Sequence, residues 1–425
     1  MQKVTIGFLG CGNIGSGVWK LISDFRYEFA HRHQLEITVK KILVRDVTKP
    51  RGFSLPEGVL TDRAEDVLED SEIQIVMEFL GGEYPATSYI LQALHNGKTV
   101  VTANKVALAL HWHALQAEAV RQQVGLYYEA SVCGAIPVID VLQHSLGANR
   151  IDKLYGIING TTNYILSRMA ETGLPYEQVL QEAQQLGLAE PDPASDVEGL
   201  DAAYKLSIMA SLAFHGRVTF PKVYREGITR VTDQDIAFGR EMGLVLKLLA
   251  IAKRTGNQVE VRVHPTFLPK SHPLARVDGS FNAVYLHGHA CQEMMLQGRG
   301  AGDMPTASAL VSDLIRAATA SVHQHPTFRN TEQPDPSLDF SQNWVTRYYL
   351  RLSCSDSVGV LARVSDCFAK ENISIATMVQ KDTGMPGRVT IVLTTHAAPE
   401  LALQHAIHAL DTQICRVESV IRVEE

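Results

Sequence analysis

The chain has 425 residues, 45% of them hydrophobic and 20% charged, and its 39 Lys and Arg against 46 Asp and Glu leave a net charge of −7. At roughly 100 to 200 residues per domain this predicts several domains, and the composition excludes a disordered, collagen-like or coiled-coil chain. There is no global basic field for nucleic acid or anionic lipid, no apolar run long enough to span a membrane and no signal-peptide plan, so the expected protein is soluble and cytoplasmic, with small-molecule partners.

Val4 to Leu9 reads as a short buried strand running into Gly10-Cys11-Gly12-Asn13-Ile14-Gly15 and then a helix to about Phe29. Further strands are expected at Ile37 to Val44, Ile73 to Phe79, Thr99 to Thr102 and Leu126 to Tyr128, with helices such as Thr87 to Asn96 and Val106 to Arg121 between them. This alternation predicts parallel strands joined by crossovers, a doubly wound Rossmann-type α/β domain over residues 1–135. From 136 to 299 the pattern is α+β, with strands at Lys153 to Ile158, Gln258 to Phe267 and Phe281 to Leu286. Gly298 to Gly302 and the apolar helix Ala307 to Ala318 form a second loop-to-helix element, which predicts that residues 300–322 rejoin the first domain. Residues 323–345 read as a linker. Beyond it the order βαββαβ over 346–425 describes a small ferredoxin-like domain. The six cysteines lack paired C-x-x-C spacing, so reduced thiols are expected.

G-x-G-x-x-G is a weak motif by itself, but here it follows a strand and opens a helix. In that setting Gly10 makes the turn, Gly12 lets a pyrophosphate approach, Gly15 permits close packing, and the helix terminus at Asn13 and Ile14 carries partial positive charge. Arg45 and Asp46 follow the second strand side by side; Arg45 suits the 2′-phosphate of NADP and Asp46 the ribose hydroxyls of NAD, which leaves the coenzyme open. Thr102 and Lys105 fall at the carboxyl edge of the sheet, where such folds bind ligands. A proline-punctuated, carboxylate-rich loop from Gly187 through Glu190 and Asp196 leads into a helix whose charges are Asp201 and Lys205. They are spaced i, i+4, and the rest of that helix is apolar almost all round, so Lys205 is expected to be partly desolvated and suited to proton transfer, with Asp201 fixing its position. Small residues from Glu129 to Pro137 would let backbone carbonyls crowd a ligand or ion, or merely pack tightly. Cys133 lacks a local basic neighbour that would activate it as a nucleophile. His-x-His pairs such as His287 and His289 lack the companions of a transition-metal site.

In the same order, the glycine motif, Thr102 to Lys105, Glu129 to Pro137, Asn159-Gly160-Thr161-Thr162-Asn163, Gly187 to Lys205, and Gly300-Ala301-Gly302 with Pro305 resemble homoserine dehydrogenase over residues 1 to 320. The resemblance implies NAD(P)-linked interconversion of L-homoserine and L-aspartate 4-semialdehyde. It implies Lys205 as general acid/base, Lys105 beside substrate and nicotinamide, and Glu190, Asp201, Gly187 and Asp196 as substrate-side residues. Residues 136–299 become the substrate-binding and dimerisation domain, Gly302 a cofactor contact, and the chain a homodimer. The family's monovalent cation, usually sodium, would lie against oxygens of Glu129, Val132, Gly134 and Ile136; Ala135 replaces a frequent glycine there. The tail resembles an ACT domain, with Val358 in place of a common proline, and implies threonine as an effector near Gly359 and Asn372. Two readings compete: another nicotinamide-dependent oxidoreductase of a small amino acid or semialdehyde, and a non-catalytic sensor of NAD(P) and an amino acid.

Overall fold

The computed structural model describes residues 1–382, 387–410 and 414–424. They form two compact units.

The first comprises Met1–Leu154, Ala203–Val223 and Asn282–Leu338. Its centre is a parallel sheet of β1 (Gln2–Leu9), β2 (Leu35–Leu43), β3 (Leu60–Thr61), β4 (Ile75–Glu78), β5 (Thr99–Thr102) and β6 (Leu126–Tyr127), in the order 3-2-1-4-5-6. The middle strands are near-continuous apolar runs because helices cover both faces, and β4 and β5 are buried along their whole length. Connections leave β1 in one direction and β4 in the other, which opens a crevice at their carboxyl ends. Helix α1 (Asn13–Asp24) starts there, and α2 (Lys105–Gln122) follows β5. The unit also takes most of the apolar helix α3 (Leu200–Ala213), and α4 (Asp303–Thr319) packs on α1 so closely that a Cβ at Gly17 would lie 3.0 Å from the Asp303 carbonyl oxygen. Ala307, Leu310 and Leu314 of α4 share one core with Val4, Ile6, Phe8 and Val18. Within residues 323–338, Phe328 stacks on Trp112 at 5.9 Å between ring centroids, so this stretch is packed into the unit.

The second unit comprises Tyr155–Ala202, Tyr224–Phe281 and the residues from Asp339 onward. Its sheet runs in the order Leu244–Thr255, Gln258–Pro269, Cys415–Val423, Val345–Ser355, Arg388–Thr395, Ile375–Asp382. The last four strands, with the helices Val360–Lys370 and Glu400–His408, make the expected ferredoxin-like tail in its 4-1-3-2 strand order. The strand Cys415–Val423 also pairs in parallel with Gln258–Pro269, Arg422 opposite Thr266 and Val423 opposite Phe267. A buried ion pair, Arg262 with Glu424 at 2.5 Å, reinforces that join, and Arg422 reaches out of the tail to Glu226 at 2.8 Å. One expectation is corrected. Cys354 and Cys415 are joined as a disulfide, because the antiparallel register sets them directly opposite each other with Cα atoms 4.1 Å apart. Cys11, Cys291 and Cys367 remain thiols.

Among the described residues no helix is long and apolar enough to cross a membrane.

Candidate active site

Gly10 leaves β1 with φ +103°, a conformation that favours glycine, and Gly12 caps α1. A Cβ at Gly15 would lie 2.9 Å from the Gly10 carbonyl oxygen, so only glycine lets the helix meet the turn. A Cβ at Gly12 would meet open space, and the first turn of α1 bears no acidic residue. Backbone N–H groups there are available to an anion, and the cradle fits a dinucleotide pyrophosphate.

A cleft of about 600 Å³ lies against this turn, lined by Gly12, Asn13, Ile14, Lys105, Lys205 and Gly302 among others. Lys105 is the first residue of α2, whose cap is Asn104, with Oδ1 accepting from Ala107 N at 3.0 Å. Thr102 does not line the cleft; its hydroxyl donates to Glu78 at 2.5 Å and accepts from Asn104 N at 2.9 Å. Lys205, only 9% exposed, reaches the cleft from α3. Gly302 caps α4 at φ +124°. Asn282 lies buried beneath Gly300, where any Cβ would overlap its amide, and neither of its amide atoms has a partner among the described residues.

Arg45 is exposed just past β2, while the Asp46 carboxylate is turned onto Thr48. Arg51 folds back with Nη1 on the Lys49 carbonyl and Nη2 on that of Asp46, and its guanidinium stands beside the Cys11 thiol. Burial pushes that thiol's pKa up and Arg51 opposes the rise. Arg51 carries no local signal in the sequence, because seven residues of loop separate it from the end of β2.

The turn after β6 carries Glu129, Val132, Gly134 and Ile136. Cys133 and Gly134 both have positive φ, +58° and +54°, and a Cβ at Gly134 would lie 2.7 Å from the Gly300 backbone. The Glu129 carboxylate accepts from Ile139 N and Asp140 N at 2.8 and 2.7 Å, and its backbone N–H donates to Asp313. Burial raises the pKa of Glu129 to about 8 and that of Asp313 to about 7. No group of three or more His, Cys, Asp or Glu side chains placed to hold a metal is found among the described residues. What the turn offers a hard cation is carbonyl oxygen.

In the second unit Asn159 is a hub. Its Nδ2 donates to Asp196 at 2.7 Å and to Asp201 at 2.9 Å, while its Oδ1 accepts from Thr162 N and caps the helix Gly160–Thr172. Thr161 Oγ1 adds a 2.8 Å bond to Asp196. Gly187, at φ +70°, follows the helix Tyr176–Gln185, and Glu190 is exposed with its carbonyl accepting from Gln184. In the tail, a pocket of about 230 Å³ is lined by residues 355–361, Gln380 and Val389. Gly359, at φ +90°, lines it and Asn372, at φ +56° beyond the end of the following helix, does not.

Known proteins match this arrangement from end to end. Residues 10–129 match the homoserine dehydrogenase NAD-binding domain and residues 137–315 homoserine dehydrogenase. The homoserine dehydrogenase of Bacillus subtilis is 40% identical over 429 residues, covering 100% of this chain and 99% of that protein, and that of Corynebacterium glutamicum is 42% identical over 436 residues, covering 100% and 96%. The crystal structure of a homoserine dehydrogenase from Thiobacillus denitrificans superimposes with a TM-score of 0.91 at 40% identity, covering 100% of this chain and 99% of that one. The chain belongs to the homoserine dehydrogenase family and is an NAD(P)-dependent oxidoreductase acting on a CH–OH group.

Proposed function

We propose that Lys205 is the general acid/base of the interconversion of L-homoserine and L-aspartate 4-semialdehyde, and that Lys105 polarises the same oxygen. The observation that carries this reading is that both lysines line one cleft with the glycine turn. An alcohol that surrenders hydride must also lose its hydroxyl proton. Lys205 takes that proton in oxidation and returns it in reduction, while Lys105 stabilises the charge developing on oxygen. Bound NAD(P) supplies the hydride acceptor or donor. Gly10, Gly12, Asn13, Ile14, Gly15 and Gly302 hold it through backbone groups, and Thr102 acts by placing the loop before Lys105. NADP is the preferred coenzyme, a reading supported by the exposed Arg45 just past β2, by Arg51 beside Cys11 of the glycine turn, and by the engagement of Asp46 elsewhere.

Glu190 and Asp201 bind the substrate ammonium group, Gly187 contributes a backbone contact, and Asp196 supports Asp201 through Asn159. Sodium is held by carbonyl oxygens in the turn containing Glu129, Val132, Gly134 and Ile136. Residues 136–299 form the substrate and dimerisation domain, residues 346–425 an ACT domain, and the enzyme works in the cytoplasm as a homodimer. Threonine binds the tail pocket near Gly359, with Asn372 close to it in the assembled protein, and inhibits.

The test is the full chain with homoserine and NAD or NADP, each with and without threonine, followed by nicotinamide absorbance. A rise with homoserine that is larger with NADP and suppressed by threonine is expected. No rise with either coenzyme would overturn the catalytic assignments and favour a sensor, and a rise indifferent to threonine would remove the effector.

A further inference from the structure

Glu78 is the last residue of β4, in register with Leu9 of β1 and Thr102 of β5, and so sits at the middle of the carboxyl edge of the sheet. It is fully buried. Oε1 accepts from Leu80 N at 2.7 Å and Gly81 N at 3.2 Å, and Oε2 accepts from the Thr102 hydroxyl at 2.5 Å. Burial pushes its pKa up, and the donors from Thr102, Leu80, Gly81 and Asn104 oppose that. The two backbone N–H groups can only donate, and the Thr102 hydroxyl, which already accepts from Asn104 N, donates as well, so the arrangement fits the acceptor-only carboxylate. Glu78 does not line the cleft, but Phe79, Ala103 and Lys105 do.

The bonds run onward from Glu78. Thr102 Oγ1 accepts from Asn104 N at 2.9 Å, Asn104 Nδ2 donates to the Gly82 carbonyl at 2.8 Å, and Asn104 Oδ1 caps the helix that begins with Lys105. One buried carboxylate thus fixes both the Phe79–Gly82 turn and the start of α2.

We propose that Glu78 is a positioning residue for the redox step, acting through Thr102 and Asn104 to place Lys105. The inference rests on the role given above to Lys105. Glu78→Gln is nearly isosteric: its amide oxygen can still accept from the two backbone N–H groups, while its NH₂ can meet Thr102 only if that hydroxyl turns and loses its own acceptor. The fold is therefore retained and the Thr102 link is altered.

The experiment measures kcat, homoserine KM and coenzyme Kd, the last by nicotinamide fluorescence, for Glu78→Gln, Thr102→Val and the double variant, with Lys105→Ala as reference. Each single variant should lower kcat about 10- to 100-fold, the size of effect that a small misplacement produces, with KM and Kd within about threefold of the parent. The double variant should be no worse than the poorer single one, since both cut one chain of bonds. Additive losses, or losses confined to Kd and thermal stability, would reduce Glu78 to a structural corner and overturn the proposal. Wild-type kcat in Lys105→Ala would overturn the role of Lys105 itself, and the proposal with it. A Lys105→Ala defect beside an unimpaired Glu78→Gln would overturn the proposal alone.

Discussion

The Asp46 carboxylate accepts from both the backbone N–H and the hydroxyl of Thr48, at 2.8 and 2.6 Å. The bonds from Thr48 hold its pKa below the ordinary carboxylate value. In a dinucleotide fold an acidic residue after the second strand takes the ribose hydroxyls and so rejects a 2′-phosphate. Here that residue is committed to its own turn, and Arg51 is bonded to the same loop at the Asp46 carbonyl.

Coenzyme choice follows from this. Wild-type protein is expected to bind NADPH more tightly than NADH. Arg45→Ala and Arg51→Gln should each weaken NADPH by about tenfold or more, the scale of one charge-assisted phosphate contact, and leave NADH nearly unchanged. Fluorescence titration of the six pairs decides it, and equal weakening of both coenzymes would show that the arginines merely shape the loop.

Removing the Lys205 amine while keeping its aliphatic stem isolates the chemistry. Lys205→Met should lower kcat by about 10²- to 10⁴-fold, the usual worth of a general acid/base, and keep coenzyme affinity. Near-parental turnover would sink the assignment.

Asn159 combines a helix cap with two donations to carboxylates. Asn159→Ala should destabilise the chain by about 2–3 kcal/mol in urea unfolding and raise the homoserine KM. Asn159→Ser keeps a capping oxygen and loses the amide donations without adding a charge beside the two carboxylates, so it should restore much of the stability without restoring KM. Recovery of both together would mean that the carboxylates need no orientation.

His264 gives stability a pH dependence of definite sign. It is fully buried; desolvation, then the nearby Arg422 and Arg262, hold its pKa well below the ordinary value. Arg262 Nη1 donates to Nε2 at 3.0 Å, which leaves the proton on Nδ1, 3.0 Å from the Pro265 carbonyl. The unfolded chain protonates this histidine below its ordinary pKa of about 6.5 and the folded chain does not, so stability falls as pH drops through that value, by up to about 1.4 kcal/mol per pH unit for one proton. Burial lowers His323 and His325 in the same direction. Glu129 and Asp313, raised to about 8 and about 7, act in the opposite sense, so the readout is the melting temperature of the parent relative to His264→Gln: it should fall from pH 7.5 to 5.5, and an unchanged difference would refute the linkage.

What could be read from the sequence was whatever depends on a local pattern. Apolar runs marked β1, β4 and β5 because strands covered on both faces need no alternation, and Gly10 to Gly15 marked its own turn. The strand Leu244–Thr255 was not read because Lys247 interrupts it; that lysine is buried, with Nζ 2.6 Å from the Val277 carbonyl and 3.1 Å from Asp278. Glu78 resembled any charge ending a strand, since the donors that surround it come from other segments. The Cys354–Cys415 bond spans 61 residues and depends on strand register, which spacing does not encode. Lys105 and Lys205 were each visible, but only folding places them on one cleft.

The parallel join of Arg422 and Val423 to Thr266 and Phe267 has a mechanical meaning. The tail is not a bead on a string, because one strand is a rung of both the tail's ladder and its neighbour's. A ligand that stiffens the tail must load that rung, so threonine should slow amide hydrogen exchange at Phe267 and Glu424, far along the chain from Gly359, and a ladder left equally labile would mean that the load is not carried there.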